Sequence, residues 1–351
     1  MFLRALTLQN FRSHQETVLE LDRFNFIRGP NGCGKSSVQM ALEYLFTGRC
    51  KLTDGAGRGA KGLIRVGEEE LEVSATFENG EAICRRRTAR SHIVEINGKR
   101  VPVDTAEAAL EKRFGPAEIL SAVLNADRFV AMPETEQKKF LAQVVDTGRT
   151  EIPEQTRDAP RSMSEAELKL ASIPIRTEDI GEGSAAATKD AHNSKLDVLK
   201  HLVDFSGSNG AVIHHASRRL EPLKAKLNQQ LAIFSYVCNL TVQPFEIRVS
   251  HCGDGPGFLL KQLSESERFR FGIAFQLALA MVTGIRFVVI DRADVLDRAK
   301  RKELTSLLLR SEIEQAIVLA TGEEPPRGTI PGGVRFIDLP PATKSAVKAF
   351  T

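Results

Sequence analysis

The sequence predicts an α/β fold with a mostly parallel sheet. Three observations predict it: a glycine-rich turn joins an apolar strand to an amphipathic helix near residue 30, strands alternate with helices after about residue 234, and a second apolar strand ends in Asp291. Strands that alternate with helices form parallel sheets whose faces the helices cover. With 351 residues, 42% of them hydrophobic and 26% charged, the chain is long enough for two or three domains and is neither disordered nor fibrous.

The first half of the chain reads as strands, a helix and then more strands. Residues 2–8 and 18–27 alternate or run apolar like strands, and the helix after the glycine-rich turn carries Val38, Ala41, Leu42 and Leu45 at helical spacing. Gly and Asn turns then separate three short β-type runs at 71–77, 82–86 and 92–96. Helical patterns return at 105–113 and 134–145.

The middle of the chain changes character. Residues 148–194 contain no aromatic residue and are rich in Ser, Thr, Glu, Ala and Pro, which predicts a solvated linker. Two helices flank a turn at 206–210, and the second matches a coiled-coil seam, although an ordinary αα-hairpin is favoured for this length. Pro222 is expected to kink or interrupt that seam. The apolar positions of the seam are Ile213, Ala216, Leu220, Leu223, Leu227 and Leu231.

The last third of the chain returns to alternating strands and helices. Strands are predicted at 245–249, 286–290, 316–320 and 334–339, with helices at 267–282 and 299–310. The most apolar stretch, 271–285, contains Gln276 and is too short to cross a bilayer, which takes about 20 residues. The amino-terminal residues alternate like a strand rather than forming a signal peptide, so a soluble cytoplasmic protein without a membrane partner is expected.

Residues 29–36 fit the Gly-x4-Gly-Lys-[Ser/Thr] phosphate loop, here Gly-Pro-Asn-Gly-Cys-Gly-Lys-Ser. Its glycines let backbone N–H groups cradle phosphate oxygens, and the following helix presents its positive end. Lys35 is expected to reach the β- and γ-phosphates, and the Ser36 hydroxyl to ligate magnesium. The loop lies between an apolar strand and an amphipathic helix, as that mechanism requires. Cys33 is interpreted as a small loop residue rather than a nucleophile.

Two later segments complete the predicted site. Asp291 ends an apolar strand and could hold a magnesium-bound water beside the phosphates, although an apolar run followed by Asp is a common pattern. Ser264 and Glu267 form a capping box at the start of the apolar helix, which explains them as helix-start chemistry. The alternative is that this helix N-terminus faces a γ-phosphate.

The order of these motifs resembles the ABC-type ATPase head of the SMC, RecF and SbcC family. The resemblance lies in Asn-Phe-Arg-Ser-His at 10–14, the phosphate loop, Leu-Ile-Arg-Val-Gly at 63–67, Leu-Ser-x-x-Glu from 263, and the Asp291 strand. It implies a P-loop NTPase fold, an ABC-type ATPase head split by an antiparallel helical hairpin. The implied boundaries are 1–147 for the amino-terminal lobe, 148–233 for linker and hairpin, and 234–351 for the carboxy-terminal lobe.

By this resemblance, ATP and Mg²⁺ are the cofactors, and two copies form a homodimer head to tail around ATP. Lys35, Asp291 and Asp294 are the candidate catalytic residues, and Ser36 and Asp291 the candidate metal ligands. Each Ser264 segment would complete the phosphate site of the other copy. The candidate nucleotide-binding residues are Arg12, Ser13, Asn31, Gly32, Cys33, Gly34, Lys35, Ser36, Ser37, Ser264 and Ser266.

Three positions depart from the family's pattern. Arg292 stands where a Glu should follow the strand carboxylate, Thr321 where a His should contact the γ-phosphate, and Asn-Ala-Asp at 125–127 where a magnesium-sensing Gln is expected. Asp294 could substitute for the missing Glu, whereas Asp297 matches a structural or interfacial Asp. The sequence therefore predicts intact ATP binding with slow or partner-stimulated hydrolysis. The alternative is a nucleotide-gated dimerisation switch with negligible hydrolysis.

The remaining partner predictions rest on weaker signals. Basic clusters at 85–90, 218–219 and 300–302 could contact DNA without sequence specificity, but each is more simply read as solvated surface charge. DNA, and a nuclease or other recombination partner, are therefore implied by the resemblance. The net charge of +3 favours neither reading. Five cysteines without a CxxC pair and seven scattered histidines favour neither disulfides nor a metal cluster.

Overall fold

The computed structural model describes residues 2–50, 52–53, 62–146, 210–251, 255–322 and 332–341. Helices and strands are numbered along these residues. The strands are β1 (Leu3–Phe11), β2 (His14–Glu20), β3 (Phe24–Arg28), β4 (Glu70–Phe77), β5 (Ala82–Thr88), β6 (His92–Ile96), β7 (Lys99–Val101), β8 (Tyr236–Val242), β9 (Phe245–His251), β10 (Phe258–Leu259), β11 (Phe287–Ile290), β12 (Gln315–Ala320) and β13 (Val334–Asp338). The helices are α1 (Lys35–Thr47), α2 (Val103–Phe114), α3 (Ala117–Leu124), α4 (Asp127–Val130), α5 (Glu134–Asp146), α6 (Gly210–Leu231), α7 (Glu265–Thr283) and α8 (Arg298–Arg310).

A four-stranded parallel sheet positions the predicted site. Its order is β11-β12-β3-β13, and all of its pairings are parallel. Ile290 pairs with Val318, and Val318 with Phe26, so β3, β12 and β11 end at one edge. The phosphate loop, Thr321 and Asp291 follow those three ends, which is where ligands bind in open α/β sheets. The predicted α/β class is confirmed.

The amino-terminal strands form a second, antiparallel sheet of order β2-β1-β4-β5-β6-β7. The prediction of a single strand over 18–27 is wrong, because that segment divides between β2 and β3. Asn25 makes the break: its side-chain oxygen accepts from the Asp22 N–H at 2.8 Å, and its amide donates to the Asp22 carbonyl at 2.7 Å. These bonds turn the chain out of the antiparallel sheet and into the parallel one.

Gln315 joins the two sheets. Its buried amide accepts from the Leu3 N–H at 2.8 Å and donates to the Leu3 carbonyl at 2.8 Å and the Asp22 carbonyl at 3.0 Å. Buried backbone groups need such partners, since leaving one unsatisfied costs about 1–3 kcal/mol. The side chain thus fixes the start of β1 against β12.

Helix α7 is the central helix of the core. It begins at the Ser264 capping box, as predicted, and is buried on nearly every side. A helix that is apolar all round belongs in an interior. Buried Gln276 ties it to its neighbours by donating to the Val123 carbonyl at 2.6 Å and the Val289 carbonyl at 2.7 Å.

The seam residues of α6 pack on this core. Leu220, Leu223, Leu227 and Leu231 are buried, and α6 packs against α7 and β8. Pro222 lies inside the helix, so the expected interruption does not divide it. The 148–194 linker, the turn at 206–209 and the first hairpin helix lie outside the described residues, and the domain boundaries remain predictions.

Other differences between the sequence-based predictions and the structure concern single elements. Strand β8 and helix α3 were not predicted, and β1 extends three residues beyond its predicted end, to Phe11. Cys33, Cys50, Cys84 and Cys238, which lie in the described part of the chain, form no disulfide. Among the described residues, no helix has both the length and the apolarity needed to cross a membrane.

Candidate nucleotide-binding site

The phosphate loop connects β3 to α1 in the predicted way. Gly32 and Gly34 adopt left-handed φ values of 82° and 103°, which turn the backbone into the loop. The N–H groups of Ser37 and Val38 donate to the Gly34 carbonyl at 2.8 and 3.2 Å and start the helix. The Lys35 ammonium lies over the loop and donates to the carbonyls of Gly29 and Pro30 at 2.7 and 2.8 Å.

The turn between β1 and β2 forms one wall of this loop. Asn10 and Arg12 have left-handed φ values of 50° and 54°, which fold the turn back on itself. Arg12 lies along α1, with Nη1 2.8 Å from the Met40 Sδ. Ser13 presents a buried hydroxyl that has no hydrogen-bond partner, and its carbonyl accepts from Arg65 Nη1 at 2.7 Å. An unpartnered buried hydroxyl beside the loop is suited to a ligand oxygen.

His14 supports the loop from the same turn. Its Nε2 lies 3.1 Å from the Gly34 carbonyl and its Nδ1 2.9 Å from Thr17 Oγ1. Because a carbonyl only accepts, Nε2 carries the proton and Nδ1 accepts from the Thr17 hydroxyl. Burial lowers the pKa of His14, and the nearby Arg65 charge lowers it further, although the bond to Gly34 opposes the shift. His14 is therefore neutral at pH 7.

The metal side of the site pairs Ser36 with Asp291. Burial raises the pKa of Asp291, while hydrogen bonds from the Ser36 hydroxyl and the Arg292 backbone lower it. A hydroxyl and a carboxylate side by side are oxygen ligands of the kind magnesium takes, with its remaining positions filled by phosphate oxygens and water. The residues therefore fit the metal that the sequence predicts. Among the described residues, no group of three or more His, Cys, Asp or Glu could hold a different metal.

Arg292 directly follows Asp291 and turns towards the 125–127 segment. Its guanidinium forms an ion pair with Asp127 and lies 3.8 Å from Glu265 Oε1. It also lies over the Phe269 ring, 5.3 Å from the centroid. Where the family pattern has a carboxylate, this chain therefore has a cation bound to acidic residues of α4 and α7.

Asp294 and Thr321 form the opposite rim. The Thr321 N–H donates to Asp294 Oδ1 at 3.0 Å, and the Thr321 hydroxyl donates to the Asn31 side-chain oxygen at 3.1 Å. This chain of bonds links the end of β12 to the phosphate loop. Asp294 is exposed and borders the cleft, so its second oxygen is available to a water or ligand.

These elements enclose a cleft of about 620 Å³, enough for a nucleotide. It brings together ten of the predicted residues: Arg12, Ser13, Asn31, Gly32, Gly34, Lys35, Ser36, Ser37, Asp291 and Asp294. Cys33 does not border the cleft. Its side chain is buried beneath the loop, and a Cβ added at Gly29 would meet its sulfur at 2.7 Å. The sulfur therefore packs under the loop, which favours the small-residue interpretation.

Ser264 and Ser266 lie outside the cleft of their own chain. Ser264 is exposed at the N-cap of α7, where its Oγ accepts from the Glu267 N–H at 3.3 Å and its own N–H donates to Glu267 Oε2 at 2.8 Å. The helix-start interpretation is therefore right for this chain by itself. A contact between these serines and a nucleotide remains a prediction that needs a second copy.

Sequence reasoning missed several wall residues. Gly62, Ile64 and Val66 border the cleft, and His14 supports it from behind. The sequence did contain an indication of these residues, because each lies in or beside a motif at 10–14 or 63–67. What was missing was the packing of the two motifs: the Arg12 N–H donates to the Leu63 carbonyl at 2.8 Å.

The interpretation of the basic cluster at 85–90 as solvated surface charge is wrong for Arg85 alone, because Arg86 and Arg87 are half-buried and Arg90 is exposed. Arg85 is fully buried and donates from Nε to the Leu45 carbonyl at 2.6 Å, at the carboxyl end of α1. Arg86 pairs with Glu72 at 2.5 Å and with Glu95 at 3.5 Å. β-Strand alternation explains the split, because neighbouring side chains point to opposite faces.

Comparison with known proteins places the chain in a family. Residues 2–326 match the family model described as RecF/RecN/SMC N terminal domain. The Rad50 ATPase of DNA double-strand break repair from Archaeoglobus fulgidus is 28% identical over 128 residues, which cover 35% of this chain and 14% of that protein. The DNA replication and repair protein RecF of Chlorobium phaeovibrioides is 28% identical over 148 residues, covering 41% and 38%. These matched segments cover well under half of either relative.

Solved structures agree on the fold. The Smc head domain of Pyrococcus furiosus, solved with the C-terminal domain of ScpA bound, aligns with a TM-score of 0.59 at 18% identity, covering 92% of this chain and 90% of that one. The recombination mediator RecF, solved with ATP, aligns with a TM-score of 0.53 at 15% identity, covering 93% and 94%. At these identities the likeness establishes the ABC-type head fold.

Proposed function

Because this chain belongs to the RecF/RecN/SMC N-terminal domain family, we propose that it binds ATP with Mg²⁺ in the 620 Å³ cleft, dimerises around the nucleotide and acts on DNA in repair or recombination. The observation that carries the proposal is the convergence at one sheet edge of the phosphate loop, the Ser36–Asp291 pair and the Arg12–Ser13 turn. A Gly-rich loop before a helix suits phosphate, and the rest of the cleft supplies a metal side and a wall.

The chain's own residues have distinct roles in this proposal. The loop N–H groups and Lys35 bind and orient the phosphates, and the unpartnered Ser13 hydroxyl donates to a ligand oxygen. Ser36 and Asp291 would hold a magnesium ion, which would supply electrostatic stabilisation of the charge on the phosphates. Asp294 accepts the proton of the attacking water, because it is an exposed carboxylate that borders the cleft beside Thr321.

Dimerisation is proposed from the position of Ser264. This hydroxyl stands at the positive end of a 19-residue helix but does not border its own cleft. A helix N-terminus favours anions. A second copy that brings Ser264 to the γ-phosphate would complete the site, so that ATP bridges the two chains and hydrolysis releases them.

A mass measurement tests the core of this proposal. We expect light scattering to show a dimer with a non-hydrolysable ATP analogue and Mg²⁺, and a monomer with ADP or with Lys35→Ala. Lys35→Ala and Ser264→Arg should each be inactive on its own. Mixed together they should recover turnover, because the heterodimer holds one site with an intact loop and an intact Ser264. A persistent monomer that binds no nucleotide would contradict the proposal.

DNA action is proposed from the family and from relatives named for DNA repair. Turnover should rise when duplex DNA is added, and that rise should weaken with salt, because phosphate contacts release counterions. Free protein and DNA-bound protein should be compared at two salt concentrations. No stimulation at low salt would contradict a DNA role while leaving ATP binding intact.

A second function is favoured by one specific observation. Arg292 occupies the position after Asp291 and is paired with Asp127, so no carboxylate follows the strand carboxylate. The chain could then be a nucleotide-gated switch that dimerises on ATP and recruits a partner with negligible hydrolysis. Dimerisation by ATP with no measurable turnover, with or without DNA, would select this alternative.

A further inference from the structure

Arg292 borders two spaces at once. It lines the nucleotide cleft, and it also lines a neighbouring cavity of about 230 Å³ whose walls include Asn125, Asp127 and Phe269. Of the described residues that border the cleft, three are cationic: Arg12, Lys35 and Arg292. Arg12 lies along α1 and Lys35 over the loop, so Arg292 is the cation at the strand ends. A chain of phosphates held by the loop extends towards those ends, because the metal-side Asp291 is there.

The charge of this region needs a cation. Asp291 and Asp294 border the same end of the cleft, and Asp127 and Glu265 lie just behind it. Even with Asp291 neutralised by the Mg²⁺ of the proposed function, the other three carboxylates would repel the terminal phosphate of a triphosphate. The Arg292 guanidinium offsets part of that charge, and its planar fork matches phosphate oxygens in bidentate fashion.

The contacts that hold Arg292 are of a kind that a phosphate can displace. Its side chain is 42% exposed, that of Asp127 is 43% exposed and that of Glu265 is 85% exposed. Ion pairs this open to water contribute little to stability. A doubly charged terminal phosphate in a partly enclosed cleft is the stronger partner.

The backbone of Arg292 is also in an uncommon conformation, which it shares with Arg12 of the same cleft. Arg292 has a left-handed φ of 56°, which few residues other than glycine adopt, and it lies between the end of β11 and a short 3-10 turn at Ala293–Val295. Strained conformations of this kind cluster at functional sites. In this conformation the side chain reaches Asp127 and still borders the cleft.

We propose that Arg292 reads the third phosphate and makes the site prefer a nucleoside triphosphate to a diphosphate. Before a nucleotide binds, the Arg292 guanidinium pairs with Asp127 and Glu265. The terminal phosphate then replaces these carboxylates as its partner, beginning with the more exposed Glu265. Since Glu265 is adjacent to Ser264, the exchange alters charge at the surface through which the two copies would meet. This inference rests on nucleotide binding in the cleft, the central part of the proposed function.

Calorimetry on the full chain tests the inference without any turnover. We would titrate ADP and a non-hydrolysable ATP analogue, each with Mg²⁺, and compare the ratio of their dissociation constants. Arg292→Gln should lower the preference for the triphosphate about tenfold and change ADP affinity by less than about twofold. Glu265→Gln should raise the preference, because it removes a competitor for the guanidinium. Arg298→Gln, an exposed arginine that does not border the cleft, is the matched control and should change neither value.

The outcomes separate this inference from the proposed function. If the wild-type chain binds neither nucleotide, both fail. If it binds both and Arg292→Gln leaves their ratio unchanged, only the reading of the third phosphate is overturned. Circular dichroism checks that the variant is folded. Should Arg292→Gln not fold, Arg292→Lys replaces it: the charge without the fork should give an intermediate ratio, and an unchanged ratio overturns the inference.

Discussion

Gly34→Ala is predicted to be much more damaging than Gly32→Ala, although both glycines lie in the same loop. Both have left-handed φ values, 103° and 82°, so an alanine costs about 1–2 kcal/mol of backbone strain at either position. Their surroundings differ. A Cβ at Gly34 would lie 2.4 Å from His14 Nε2 and 2.5 Å from Ser13 Oγ, whereas at Gly32 nothing lies within 4 Å.

The clash sets the size of the difference. Overpacking a filled site costs about 1–3 kcal/mol, and His14 cannot swing aside without losing its bonds to Gly34 and Thr17. The total loss in unfolding free energy is about 2–5 kcal/mol for Gly34→Ala and about 1–2 kcal/mol for Gly32→Ala. The affinity of Gly34→Ala for the ATP analogue should also fall, because the displaced Ser13 borders the cleft and the displaced His14 supports it from behind.

Urea denaturation of the two variants and the wild type measures the difference. A double-mutant cycle with His14→Ala isolates the clash: Gly34→Ala should cost less in the His14→Ala background, by about 1 kcal/mol or more. Equal losses for the two glycine variants, or strict additivity with His14→Ala, would refute the reasoning. Either result would mean that the turn at 12–14 moves aside without a loss in unfolding free energy.

Three further predictions follow from single side chains. Asp294→Asn should lower ATP turnover at least tenfold and leave the affinity for the ATP analogue unchanged, because the amide keeps the bond to the Thr321 N–H but cannot take a proton. Turnover that this variant leaves untouched and Lys35→Ala abolishes would contradict the role of Asp294 as the base. Burial and the charges of Arg85 and Arg87 lower the pKa of His92 to about 4. The contribution of neutral His92 to stability is therefore present above pH 6.5 and is lost as the pH falls towards 4. Urea midpoints of the wild type and His92→Gln at pH 7.5 and 4.5 check this, and an equal pH dependence in both proteins would contradict it. Gln276→Met, of similar volume, should cost about 1–3 kcal/mol of unfolding free energy by leaving two buried carbonyls without donors, and thermal or urea unfolding that matches the wild type would rule this out.

The site could be predicted from sequence wherever its residues are local. The loop at 29–36 carries its conformation in its own glycines, and Ser264 and Glu267 cap α7 across three residues. Asp291 was found because a continuous apolar strand precedes it. In each case the information lies within one turn or one strand, so no distant contact was needed to read it.

The partners of Arg292 and Arg85 could not be predicted in this way. Arg292 pairs with Asp127, 165 positions earlier, and the sequence marked only that a Glu was missing. The run at 85–87 suggested a basic surface, but strand alternation and the end of α1 bury its first arginine. A pattern of charges in the sequence does not indicate which face of a sheet is buried against the rest of the protein.

The sequence by itself determined the α/β class, the phosphate loop and the strand that delivers Asp291, because hydrophobic period and glycine placement are local properties. Only the tertiary structure decided how the walls of the cleft are held together: the Arg12 N–H bond to the Leu63 carbonyl, the bonds of Thr321 to Asp294 and Asn31, and the pairing of Arg292 with Asp127. The physical reason is that a cleft at the edge of a parallel sheet is assembled from strand ends that are neighbours in space and hundreds of residues apart in the chain, so their contacts follow from strand order and register.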